Sequence, residues 1–302
     1  MLRFFLLGLA LAGLVLPAAA QSAPPALLVS LPFEVVGGVI VLRNLAFNGR
    51  RGDFILDTGC TYALVIEQAA FPSQVRPSAK GGLSAAGTTP IQELPITQFD
   101  FGQIRPPQLA QATSLAALRP LVGPRLLGLI GTGLLRRFEV VLDYAHQRLS
   151  CYELGPQASS VRPFTRRDSV AFTLEKGWPV TLAHIGAVPV PLLLDTGARQ
   201  NLLDADLARA LPAGTRPTGA QPETVVGPAG RVAAQRAFLP KLQVGTAEWR
   251  RVPMLLTAPV RYQNGQALPY QGVLGGTFLS QEPLVSFHYG RRQFYFLTPA
   301  RP

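Results

Sequence analysis

The chain repeats itself, and this limits its possible folds more than any other feature. The tripeptide Asp-Thr-Gly occurs at Asp57-Thr58-Gly59 and again at Asp195-Thr196-Gly197. Each copy follows an apolar run, Phe54-Ile55-Leu56 or Leu192-Leu193-Leu194, and precedes another, Ala63-Leu64-Val65 or Leu202-Leu203. A single copy reads as a tight turn after a buried strand. Two copies in matching contexts read as a duplicated unit that brings two carboxylates to one place. Paired carboxylates are the minimum equipment for acid–base hydrolysis.

The rest of the two halves follows the same order. Each begins on strand-like sequence, Leu31-Pro32-Phe33-Glu34-Val35-Val36 or Val170-Ala171-Phe172-Thr173-Leu174. A second strand follows, Val39-Ile40-Val41-Leu42 or Val180-Thr181-Leu182-Ala183. After Asp-Thr-Gly comes a Gly-rich stretch without strong periodicity. It includes Ser84, Ala85, Ala86 and Gly87 in the first half, and Val226, Gly227, Pro228, Ala229 and Gly230 in the second. A second shared motif then reads Gly128-Leu129-Ile130-Gly131 before Leu134-Leu135, and Gly272-Val273-Leu274-Gly275 before Phe278-Leu279. Each half ends on a predicted strand hairpin, Val140–Tyr144 with Leu149–Tyr152, and Leu284–Phe287 with Phe294–Leu297. Helical pattern is sparse; the best candidates follow Leu134-Leu135 and Phe278-Leu279 and span Asp204–Leu211.

Composition agrees with many short strands. The chain has 29 Gly and 28 Pro, which favour turns over long helices, and its 48% hydrophobic content is enough for a core. The expected class is all-β, with a signal peptide over 1–20, an N-terminal lobe over 21–154, a linker over 155–163 and a C-terminal lobe over 164–302. Gly155-Pro156-Gln157-Ala158-Ser159-Ser160 has the composition of a linker.

The first twenty residues predict export. Arg3 gives a positive start, Phe4–Leu16 an apolar stretch and Ala18-Ala19-Ala20 a small-residue cleavage site. That apolar run is short for a membrane span, so no stable span is expected after cleavage. The destination would be a periplasm or the exterior.

The net charge of +11 does not predict a nucleic-acid partner. The basic residues come as scattered pairs such as Arg50-Arg51 and Arg250-Arg251, with no basic-aromatic stripe. A solvated surface explains them. Cys60 and Cys151 are too few for a disulfide framework in a chain this long. His146, His184 and His288 lack ligand spacing, and no metal or other cofactor is expected. Ser84 has no Gly-x-Ser-x-Gly elbow around it. Arg51-Gly52-Asp53, placed in the turn before the first Asp-Thr-Gly strand, reads as a chance match to an adhesion tripeptide.

With these motifs in place, the chain resembles the pepsin–retropepsin family of aspartic peptidases over nearly all of its mature length. Leu56-Asp57-Thr58-Gly59 and Leu194-Asp195-Thr196-Gly197-Ala198 match the family's active-site motif, and Ile130-Gly131 and Leu274-Gly275 its apolar-apolar-Gly element. The short halves look like a fused tandem of retropepsin-like β-barrel lobes, with the active site between them. The resemblance implies an endopeptidase in which Asp57 and Asp195 share a proton and activate a water. Thr58, Gly59, Thr196 and Gly197 would support the dyad, and the Gly-rich stretches would be flaps. Substrate would be a peptide or protein lying extended in the cleft of a monomer. A peptide-binding or sensory module on the same fold is the alternative. Three departures stand out: neither Gly-rich stretch has a flap Tyr, Cys60 replaces the usual Ser or Ala, and there is no room for a pepsin-like propeptide.

Overall fold

A computed structural model describes residues 25–84, 87–154, 164–227, 230–258, 262–263 and 266–299. The predicted signal peptide and linker lie outside the described residues. The fold is all-β. In the first half the strands are β1 (Leu27–Pro32), β2 (Glu34–Val36), β3 (Val39–Phe47), β4 (Arg50–Asp57), β5 (Leu64–Glu67), β6 (Arg76–Ser84), β7 (Gly87–Pro95), β8 (Leu109–Thr113), β9 (Leu126–Gly131), β10 (Phe138–Asp143) and β11 (Arg148–Glu153). The second half adds β12 (Phe164–Glu175), β13 (Trp178–Ile185), β14 (Val188–Leu194), β15 (Leu202–Asp204), β16 (Thr218–Gly227), β17 (Gly230–Val244) and β18 (Ala247–Thr257). A small ribbon, β19 (Tyr262–Gln263) with β20 (Gln266–Ala267), precedes β21 (Gly272–Leu274), β22 (Leu284–His288) and β23 (Gln293–Pro299). Among the described residues the α-helices are four short pieces: α1 (Arg119–Val122), α2 (Thr132–Leu135), α3 (Ala205–Ala210) and α4 (Gly276–Leu279).

The duplication read from the sequence is present in the strand order. The first half forms the sheet β2-β3-β4-β9-β5-β8-β7-β6, and the second half runs β12-β13-β14-β21-β15-β18-β17-β16. Position by position, the two orders correspond. In both, the strand ending on Asp-Thr-Gly pairs in parallel with the apolar-apolar-Gly strand: Asp57 lies opposite Gly131, and Leu194 opposite Leu274. Gly131 and Gly275 are glycine for a steric reason. A Cβ on Gly131 would run into the carbonyls of Cys60 and Tyr62, and one on Gly275 into those of Ala198 and Gln200. Each motif therefore threads against the chain that has just left Asp-Thr-Gly.

A third layer joins the halves. β1, β11, β10, β22, β23 and the first part of β12 are neighbours in one sheet, with β10 pairing antiparallel to β22 across the divide. The phenylalanines Phe278, Phe287, Phe294 and Phe296 share one buried core with Phe47, Phe54, Phe71 and Phe101 of the first half. Burial of so much aromatic surface is the main favourable term for a sheet structure of this kind.

Several expectations need correction. The predicted first strand, Leu31–Val36, is split between β1 and β2. Phe33 leaves the ladder, points into the core and donates its backbone N–H to Gln147 O at 2.8 Å. In the second half the same path is one continuous strand, whose residues 164–171 pair with β23 and 172–175 with β13. The helices α2 and α4 end on Leu134-Leu135 and Phe278-Leu279 rather than following them, because those side chains are buried anchors. Asp204 stands just before α3 as its N-cap, accepting from the N–H groups of Asp206 and Leu207. Arg51-Gly52-Asp53 lies within β4, not in a turn. Asp53 is buried there, with Oδ2 taking a bond of 2.7 Å from Arg43. The Gly-rich stretches, read as aperiodic, form the antiparallel hairpins β6–β7 and β16–β17.

Candidate active site

Asp57 ends β4, and Thr58 and Gly59 follow it. Asp195 comes directly after β14, and Thr196 and Gly197 follow in the same way. Apolar pairing on both sides fixes each strand, so the two Asp-Thr-Gly turns emerge rigidly and meet. Their contact is reciprocal. Thr58 N–H donates to Thr196 Oγ1 (3.1 Å) and Thr196 N–H to Thr58 Oγ1 (3.0 Å). Each hydroxyl then donates across the divide, Thr58 to Leu194 O and Thr196 to Leu56 O, both at 2.7 Å. Both threonines are buried, so each hydroxyl is fully used as donor and acceptor where water could not replace it.

Gly59 and Gly197 bring the carboxylates together. A Cβ on Gly59 would overlap the Asp195 carboxylate, and a Cβ on Gly197 would overlap that of Asp57. Only glycine allows the loops to come this close. Asp195 Oδ1 accepts from Gly197 N–H (2.8 Å), Ala198 N–H (3.2 Å) and, across the divide, Gly59 N–H (3.2 Å). Asp57 Oδ1 accepts from Cys60 N–H at 2.9 Å.

These environments separate the two acids. Burial, then the Asp195 charge and the hydrogen bond between the two carboxyls, holds Asp57 well above the usual carboxylate range. Burial also raises Asp195, but its backbone N–H donors and the bond from Asp57 oppose the shift. Asp195 thus has three backbone donors to hold a charge and Asp57 one, within a pair that titrates as a unit.

Four contributors were not legible in the motifs. Thr132, at the start of α2, donates its hydroxyl to Thr58 O at 2.6 Å. Asn201 is buried, accepts from Gly275 N–H (2.9 Å) and donates to Pro253 O (3.0 Å). At the matching place in the first half, Gly131 N–H uses the backbone carbonyl of Ala63 instead. Trp178, first residue of β13, donates its indole N–H to Gly59 O at 2.7 Å, and Tyr270 packs edge-on against its ring. Nothing in the spacing of one sequence points a threonine, an asparagine or a tryptophan at these carbonyls. The position of Thr132 directly after Gly131 was the only available hint.

Cys60 and Cys151 are both free thiols. Burial, and then the Asp57 charge, pushes the Cys60 thiol well up, so it stays protonated beside the dyad. Of the flap candidates, Ser84 and Gly87 end β6 and begin β7 as a pair, and Gly227 and Gly230 do the same for β16 and β17. Val226 lies in β16, opposite Arg231. Ala85, Ala86, Pro228 and Ala229 lie outside the described residues. Among the described residues, no group of three His, Cys, Asp or Glu side chains could hold a metal ion.

Comparison with known proteins agrees with the geometry of the second half. Residues 179–278 match the family model described as aspartyl protease. That stretch contains Asp195, Asn201 and Gly272–Gly275, and it supports membership of an aspartic protease family. A search of curated proteins finds no match. Among solved structures, the chain is similar to conglutin gamma, a basic 7S globulin from lupine seeds. The TM-score is 0.48 and the identity 12%, over 91% of this chain and 96% of that one.

Proposed function

We propose that this protein is an exported aspartic endopeptidase, built as a single-chain tandem of two retropepsin-like lobes with one dyad between them. The observation that carries the reading is the reciprocal threonine lock between the two Asp-Thr-Gly turns, beside which the Asp57 and Asp195 carboxyls share a hydrogen bond. The aspartyl protease match over the second half supports the same class. Matching strand order in the two halves supports the tandem.

The chemistry follows from the asymmetry of the pair. Asp195, ionised, takes a proton from a water held between the carboxyls. That water attacks the scissile carbonyl carbon. Asp57 gives its proton to the carbonyl oxygen as charge develops there, and the resulting tetrahedral species collapses when the amine leaves with a proton. Substrate lies extended, its backbone beside the β6–β7 and β16–β17 hairpins, which close over it and exclude water. The apolar leader at residues 4–16 supports export to a periplasm or the exterior, and both carboxylates on one chain support a monomer.

The deciding experiment compares the unsubstituted chain with Asp57→Asn and Asp195→Asn on an unfolded protein and a peptide library. Cleavage should disappear in both variants and be blocked in the parent by a statine-type transition-state mimic. Persistent cleavage in either variant would sink the dyad mechanism. Binding of peptides without cleavage by the parent would favour a peptide-binding module.

A further inference from the structure

One of the differences between the two halves at the dyad is a side-chain hydrogen bond onto an active-site loop. Each half contributes the start of its second strand, after a turn glycine: Gly38-Val39 in the first, Gly177-Trp178 in the second. The turn glycine packs against the active-site loop of the opposite half, Gly38 against Arg199 and Gly177 against Thr61. The residue that follows differs. Val39 has no donor to offer, whereas Trp178 gives its indole N–H to Gly59 O at 2.7 Å. Trp178 is itself almost fully buried.

The carbonyl that accepts this bond belongs to the Gly59–Cys60 peptide. The N–H of that same peptide donates to Asp57 Oδ1 at 2.9 Å. Hydrogen bonds in series polarise one another, so a donor on the carbonyl makes the N–H at the other end of the peptide a stronger donor. We infer that Trp178 is a positioning residue that acts through the Gly59–Cys60 peptide on Asp57 alone, and so sets the two carboxyls of the dyad apart. This rests on the peptidase reading for its effect on turnover, but not for its effect on the carboxyl.

The direction of the effect follows from where the proton sits. Three backbone N–H donors face Asp195 and one faces Asp57, so the charge of the resting pair is better held by Asp195, and Asp57 is the acid that becomes anionic as it protonates the substrate carbonyl. A stronger N–H donor stabilises that anion and leaves the protonated form nearly unaffected. Trp178 therefore lowers the upper titration of the dyad and assists the chemical step more than substrate binding. The Cys60 N–H bond already acts in this direction on Asp57.

The test is Trp178→Phe, which keeps the ring and its contact with Tyr270 but removes the donor. Carboxyl resonances of Asp57 and Asp195 are followed against pH in carbon-labelled protein. The upper titration should rise by about half a unit or more. With a peptide substrate, kcat should fall about three- to tenfold while KM stays within about twofold. An unchanged upper titration in a folded variant overturns the inference, whatever happens to activity. Should Trp178→Phe fail to fold, the unsubstituted chain still answers. The Trp178 indole N–H resonance, assigned against Trp249→Phe, should move with the upper titration and stop moving in Asp57→Asn. A pH-independent resonance overturns the inference. Neither resonance measurement needs turnover, so failure of the peptidase reading, seen as cleavage persisting in the Asp→Asn variants, is read separately.

Discussion

At the scale of single residues, the dyad is assembled at a cost to the fold, and that cost can be measured. Asp57 is raised mainly by burial, so the native state holds its proton more tightly than the unfolded chain does. The unfolded state gives up that proton first as pH rises, and stability falls from the ordinary carboxylate range up to the native titration of Asp57. Asp57→Asn removes the penalty. It should abolish cleavage yet raise Tm at neutral pH, and the gain should shrink as pH falls below the ordinary aspartate range. Thermal melts across pH check this; a variant less stable than the parent at neutral pH would refute it. The threonines make the opposite case. Thr58→Val leaves Thr196 N–H and Leu194 O buried without their partner. Each orphaned group costs about 1–3 kcal/mol, so the variant should lose about 2–6 kcal/mol in urea unfolding, while Thr58→Ser stays within about 1 kcal/mol of the parent.

At the scale of elements, close backbone approach is what holds each active-site loop in place. The N-terminus of α4 sits under the β2–β3 turn of the other half, and a Cβ on Gly276 would collide with Gly38 O. The matching residue of α2, Thr132, has room for a side chain and uses it to hold Thr58 O. Gly276→Ala must therefore push the β2–β3 turn away from Arg199. Activity should drop at least tenfold through misplacement of the Asp195 loop, an effect expected of displacements of about 1 Å. Thr132→Ser should be close to neutral, and kinetics on the two variants separate the cases. This asymmetry also shows what could be read in advance. Asp-Thr-Gly, the apolar-apolar-Gly motif and the closing hairpins are local patterns, and they placed β4, β9, β14, β21 and the strands β10–β11 and β22–β23. The split at Phe33, the side-chain bond of Asn201 and the indole bond of Trp178 depend on residues up to 119 positions apart in sequence. No periodicity encodes such a pairing. The Gly-rich stretches showed no clear period because the small and polar residues of β6, β7, β16 and β17 alternate weakly, while their register is fixed by their partner strands.

At the scale of the whole molecule, the halves are held together by the shared sheet, and a titratable pair lies at its centre. Glu139 in β10 and His288 in β22 lie opposite one another across the divide, both almost fully buried. Glu139 Oε1 accepts from Ser286 Oγ at 2.6 Å, but Oε2 and His288 Nε2 stand 3.9 Å apart, too far for a hydrogen bond. Arg291 N–H donates to His288 Nδ1, which keeps the ring neutral with its proton on Nε2. Burial, joined by the charges of Arg291 and Arg166, lowers the His288 pKa to about 4. The native state therefore refuses a proton that the unfolded chain accepts near 6.5. Stability from this group is complete above that value and is lost as pH falls towards 4, by up to about 3 kcal/mol. Glu139 is raised by burial and works the other way, gaining stability on acidification. His288→Phe keeps a ring against Tyr295 and removes the acid-labile group. It should flatten the fall in unfolding free energy between pH 6.5 and 4, while Glu139→Gln should steepen it. Urea unfolding at a series of pH values measures both slopes. A parent chain whose stability does not decline over that interval, or a His288→Phe variant that declines just as steeply, would show that the seam between the halves is not what acid loosens.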